Sequence, residues 1–278
     1  MPSEGATMGY RPAYPSDGIA PIPQQRVVDK LDEYMSRRDY AGAERHLLYW
    51  LEEARAGRDA RGELMLRNEL VGHFRKTGDG ERAMEHGRRA LELVDELGFG
   101  ETISAGTTYT NVATACNAFG HNETALELFR KATRLYEGAA NTDARLLGGL
   151  YNNMALTCVA LGRFDEADDL YQRALHTMSR VEHGALEQAI TYLNMADALE
   201  ARAKAEGGGH GGGPGADVER GIQRCLDTAL ELLDDPTVPH DGYYAFVCEK
   251  CAPSFAYHGY FLADDDLRAR AKEIYERA

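Results

Sequence analysis

Ala43, Ala83, Ala125 and Ala167 stand 40, 42 and 42 residues apart. A second series, Leu31, Val71, Ala113, Ala155 and Ala196, keeps nearly the same step. A third carries larger side chains at Tyr34, Phe74, Cys116, Cys158 and Leu199, and a glycine returns at Gly78, Gly120 and Gly162. Copies held in one register narrow the possible folds sharply. A unit this short cannot bury its apolar face alone, so it must stack on neighbours of its own kind.

The stretch 144–178, ARLLGGLYNNMALTCVALGRFDEADDLYQRALHTM, displays one unit most clearly. Tyr151, Met154, Ala155 and Cys158 lie three or four apart and share one helical face. Gly162 suits the left-handed position that ends such a helix. Asp165 and Glu166 open a second helix, where carboxylates favour the helix dipole. Ala167, Tyr171 and Ala174 form its apolar stripe. Ala155 and Ala167 are small enough to let the two helices approach, and Phe164 and Tyr171 fill the space beside them.

This pattern resembles the tetratricopeptide repeat, although Ser179 stands where that repeat often has proline. The common unit has 34 residues, so a step near 42 adds roughly 12 Å of helix. Such long units are similar to the repeats of kinesin light chain and of bacterial peptide-pheromone receptors. The resemblance covers residues 24–278. It implies an all-α helical-repeat solenoid, a right-handed superhelix of about six helix pairs.

Residues 1–23 carry Pro2, Pro12, Pro15, Pro21 and Pro23 among glycine and serine, which predicts a disordered, proline-rich arm. Docking of the arm onto the protein's own groove is the other reading. The solenoid follows over 24–278. Its fifth unit is interrupted by GGGHGGGPG, residues 207–215, a composition that predicts a flexible loop rather than helix. The last unit, from about His240, is the least regular. It holds many aromatic residues, and Pro253 is expected to kink or break its first helix. Ala271, Tyr275 and Ala278 return to the repeat register.

A formal charge of −14 and the lack of any basic stripe argue against nucleic acid and anionic membrane surfaces as partners. No apolar run approaches the roughly 18 residues of a membrane span, and no apolar signal segment opens the chain. Five cysteines, mostly at core slots, suggest reduced thiols and a cytoplasmic setting.

Catalytic and metal chemistry find no footing. Cys248 and Cys251 form a single C-x-x-C, whereas structural zinc needs four ligands, so packing is the expected role. The nine histidines follow no metal-binding spacing, and there is no nucleophile elbow, phosphate loop or dinucleotide fingerprint. Acidic pairs such as Glu52/Glu53 and Asp168/Asp169 read as solvated faces without partners. We therefore expect no enzyme, no cofactor and no metal site.

One polar array remains. Asn111, Asn153 and Asn194 recur at one slot of three successive first helices, and Asn68 lies one residue out of register in the second unit. In tetratricopeptide proteins the first helices line the concave surface, so the resemblance implies that these amides face a groove, with Arg75 and Lys76 towards its N-terminal side. An amide both donates and accepts, which matches an extended peptide backbone. The same amides could instead bond neighbouring helices. The chaperone-binding members of the family use a cationic carboxylate clamp. Val28, Asp32, Asn68, Glu69 and Gly72 occupy the corresponding slots here, so chaperone tails are not the expected ligand. The expectation is a scaffold that binds a protein or peptide segment in its groove. The alternative is a self-associating scaffold, including a homodimer, whose groove is filled by its own arm or by a second copy.

Overall fold

Aspartate side chains start many of the helices, and a left-handed residue ends most of the first ones. The computed structural model describes residues 18–207 and 215–277, which carry twelve α-helices and no strand. Most of the expected arm and of the glycine loop, together with Ala278, lies outside the described residues. The described chain divides into two compact units, 1–100 and 101–278.

The first unit contains α1 (Gln24–Ser36), α2 (Tyr40–Ala56), α3 (Ala60–Thr77) and α4 (Gly80–Glu96). Asp39, Asp59 and Asp79 cap α2, α3 and α4 by accepting hydrogen bonds from the backbone N–H groups of Gly42, Gly62 and Arg82. Such a cap satisfies a donor that the helix itself leaves open, and is worth about 1 kcal/mol. Asp59 does more. Its second oxygen accepts the N–H of Ile22 at 3.0 Å, and Ala20 donates to the carbonyl of Gly57 at 2.8 Å. The residues leading into α1 are thereby tied to the turn between α2 and α3, with Ile22 buried.

The second unit contains α5 (Ile103–Ala118), α6 (Asn122–Gly138), α7 (Ala144–Ala160), α8 (Phe164–Met178), α9 (Ala185–Glu206), α10 (Ala216–Leu233), α11 (Gly242–Tyr257) and α12 (Phe261–Arg277). They form four antiparallel pairs, and α6 and α8 also pack on the first helix of the next pair. The recurring alanines Ala113, Ala125, Ala155, Ala167 and Ala196 are all fully buried, as are Ala43, Ala83 and Val71 in the first unit.

The turn inside a pair is built the same way five times. Arg38, Gly78, Gly120, Gly162 and Gly259 have φ between 55° and 85°. The next residue then donates its N–H five residues back: Asp39 to Tyr34, Asp79 to Phe74, His121 to Cys116, Arg163 to Cys158 and Tyr260 to Phe255, at 2.8–2.9 Å. This is the Schellman closure, and the carbonyls of Tyr34, Phe74, Cys116 and Cys158 from the third sequence series receive these bonds, whereas Leu199 lies inside the longer α9. Nothing lies within 4 Å of a Cβ built at Gly162, so a side chain there meets conformational strain alone. Gly162→Ala should lower stability by about 1 kcal/mol, which a urea midpoint would read. An unchanged midpoint would mean that the turn tolerates another conformation.

Two expectations about the last unit need correction. The break that Pro253 could have caused does not occur: helix α11 runs on through it. The ring is exposed, while Cys251, Ala252 and Phe255 on either side are buried and hold the helix together across the missing N–H. Tyr275 does not rejoin the core in α12. It is 42% exposed, and only Leu267 and Ala271 of that helix are buried.

Candidate functional site: the exposed face of the first helices

In the second unit the first helices of successive pairs approach one another, α5 to α7, α7 to α9 and α9 to α11, and no two second helices come as close. The first helices are therefore the tighter, inner layer of this unit. Each has a buried stripe turned towards its partner and a second stripe left accessible at helical spacing. The accessible stripe reads Thr107, Asn111, Thr114 and Ala118 on α5, and Leu146, Gly149, Asn153, Leu156 and Ala160 on α7. It continues as Glu187, Ile190, Asn194, Asp197 and Ala201 on α9, and Tyr243, Phe246, Lys250, Pro253 and Tyr257 on α11.

Asn111, Asn153 and Asn194 thus occupy the middle of three adjacent stripes, each half-buried. Asn194 donates its side-chain amide to the Oδ1 of Asn152, 3.1 Å away on α7. This amide does bond a neighbouring helix. Its partner, Asn152, was missed in the sequence, although the step from Asn152 to Asn194 is also 42. The Asn153 side chain makes no hydrogen bond among the described residues, while its backbone carbonyl accepts from Thr157. Lys250 stands in the fourth position of this row, nine residues before Gly259 as Asn153 is nine before Gly162. It is exposed and has no ion pair among the described residues. The irregular last unit hid it.

Asn68, Arg75 and Lys76 belong to α3 in the first unit. The Asn68 amide donates to the carbonyl of Leu64, one turn back. Arg75 and Lys76 are exposed at the end of the helix, with the Lys76 ammonium 5.3 Å from the ring centre of Tyr40.

Charge is spread unevenly over the inner face. Helix α5 has no aspartate, glutamate, lysine, arginine or histidine, and α7 has only Arg145. The α5 hydroxyls of Thr110 and Thr114 donate to carbonyls of their own helix. Helices α9 and α11 differ. Glu187 accepts from Arg145 at 2.7 Å and from the Tyr243 hydroxyl at 3.3 Å. Burial, with Glu187 beside it, pushes the Tyr243 phenol up to about 12. Tyr257 donates to both oxygens of Glu200, and His258 lies 3.1 Å from Asp197. Burial works against the Glu200 carboxylate, but hydrogen bonds from Lys204 and Tyr257 hold its pKa below the usual range.

The cysteines are packing residues. Cys248 and Cys251 lie in the core shared by α9 to α12, and burial pushes the Cys251 thiol up to about 12. Cys158 is pushed up to about 11, again chiefly by burial. Neutral thiols of this kind are poor nucleophiles. Asp168 is exposed, as expected, but not partnerless: Arg202 lies 3.2 Å away, and partial burial raises its pKa. Among the described residues no cluster of three histidine, cysteine or acidic side chains could hold a metal, and no helix is long and apolar enough to cross a membrane.

Residues 63–138 and 149–175 match tetratricopeptide repeat family models. Among solved structures, the chain is similar to BtubC (BKLC) from P. vanneervenii, with 17% identity, 92% of each chain covered and a TM-score of 0.48. It is also similar to a tetratricopeptide repeat protein from Parabacteroides merdae, with 13% identity, 90% of this chain and 92% of that one covered, and a TM-score of 0.43. No curated protein matches.

Proposed function

We propose that this chain, which carries tetratricopeptide repeats at 63–138 and 149–175, is a non-enzymatic scaffold that holds an extended protein segment against the inner face of its second unit. Tetratricopeptide repeats serve generally as protein-interaction scaffolds. The observation that carries the finer reading is the row of Asn111, Asn153 and Asn194 across three adjacent first helices, two of which are almost without charge. Adjacent helices lie about 8–10 Å apart and an extended chain advances about 3.3 Å per residue, so one amide serves roughly every third residue of the segment. Such a surface reads backbone and leaves side-chain choice to its flanks. On the same reading Lys250 continues the row, and Asn68, Arg75 and Lys76 are the candidates of the first unit.

The test is affinity selection from a tryptic digest of the source proteome, comparing wild type with an Asn111→Ala/Asn153→Ala variant. Those two positions avoid the Asn194–Asn152 bond. Each lost amide should weaken retention by about 0.5–1.5 kcal/mol, with the helical signal unchanged. Full retention by the variant would sink the reading. The alternative, self-association, draws on Phe261 and Leu262 at the start of α12, which are 66% and 86% exposed. Sedimentation across a concentration series separates the two.

A further inference from the structure

Beside the inner face, between α9 and α10, lies an open cleft of about 370 Å³. Ile222 and Leu226, both buried, form its apolar floor, and Tyr260 supplies an aromatic wall. Glu200 and Glu219 bring carboxylates from the two helices, and His258 closes one end. Two more acids stand behind this lining: Asp197 within 3.1 Å of His258, and Asp227, which accepts the Tyr260 hydroxyl at 3.1 Å. The cleft opens next to the row of amides. Glu200 is six residues beyond Asn194 on α9, about 9 Å along the helix axis, and it is bonded to Tyr257 of the α11 stripe.

We propose that this cleft receives a lysine or arginine side chain of the segment held on the inner face. The proposal rests on the groove reading above and names the kind of segment. A long cationic side chain has an apolar stem and a charged head. The stem meets Ile222 and Leu226, and the head meets Glu200 and Glu219, with the ring of Tyr260 beside it. The protein already makes this contact with a lysine of its own. The Lys204 ammonium lies 2.8 Å from Glu200, which lines the cleft, and 6.0 Å from the centre of the Tyr257 ring. An acidic side chain would enter against carboxylates. A purely apolar one would strip water from them without replacing their hydrogen bonds.

Three synthetic peptide pools test this. Each is short and random in uncharged residues, with a centre fixed as arginine, norleucine or glutamate. Retention is measured on the immobilised full chain at neutral pH and low salt. Wild type should keep the arginine pool roughly tenfold better than the other two. Glu200→Gln with Glu219→Gln should bring the arginine pool down to the norleucine level, and Asn153→Ala should weaken all pools alike. Equal retention of the arginine and norleucine pools, or an arginine preference that survives in the glutamine variant, overturns the cleft. If Asn153→Ala still weakens retention in that case, the groove reading stands without it. An arginine preference that depends on the two glutamates but ignores Asn153→Ala keeps the cleft and overturns the row of amides. Retention of no pool overturns both.

Discussion

Phe255→Ala should remove about 3–5 kcal/mol of stability, read as a fall in the urea midpoint of the helical signal. Phe255 is fully buried in the core formed by α9 to α12, with its ring 6.2 Å from that of Tyr260. It occupies the slot held by Tyr34, Phe74, Cys116 and Cys158 in other pairs, and its carbonyl accepts the bond that closes the turn. Truncation leaves that backbone bond in place and opens a cavity in the core shared by α9 to α12. The helix around it has little in reserve, because Pro253 removes one backbone hydrogen bond two residues earlier. Phe255→Leu keeps much of the volume and should lose far less. Equal losses for the two variants would show that the ring is not packed as described.

Acid should weaken the first unit well before it protonates most carboxylates. His86 is buried between α3 and α4, with its ring stacked on Phe74 at 5.4 Å and its Nδ1 accepting from the Arg67 guanidinium at 2.9 Å. Burial first, and then the positive charge of Arg67, lower its pKa from 6.5 to about 4. His73, also buried, is lowered in the same direction, again chiefly by burial. At pH 7 both rings are neutral whether the chain is folded or not. Below about 6.5 the unfolded chain takes up protons that the folded one refuses, so stability falls with pH until the folded pKa near 4 is reached. For His86 alone the full loss is about 3 kcal/mol. Trp50, the only tryptophan, lies on α2 and reports on this unit. Its urea midpoint should drop between pH 6.5 and 4.5, and His86→Gln, which keeps an acceptor for Arg67, should flatten that slope. A flat wild-type profile, or an unchanged slope in the variant, would contradict the assignment.

Much of the architecture could be read from the residues. The recurring alanines from Ala43 to Ala196 marked close helix contacts because a small side chain permits them. The glycines marked the turns because φ there is positive. Arg38 adopts the same left-handed turn without being glycine, so its turn was invisible to a search for glycine. Pro253 misled in the opposite way: its local effect is real, but the buried neighbours on both sides outweigh it.

The candidate site divided along the same line. Repetition at a step of 42 placed Asn111, Asn153 and Asn194 on one slot, since side chains that share a slot share a face. It could not say that Asn194 reaches Asn152, because a hydrogen bond depends on two rotamers on different helices. Lys250 was hidden because α11 lacks the alanine pattern by which the slot was counted. The cleft of Glu200 and Glu219 had no signature, since its walls come from α9, α10 and the turn after α11, which are distant in the chain. Periodicity, a property of one helix against its neighbour, was carried by the sequence itself. The division of the described chain into two compact units, the protonation of His86 and the cleft beside the amides depend on which distant side chains share a space, and packing alone decided them.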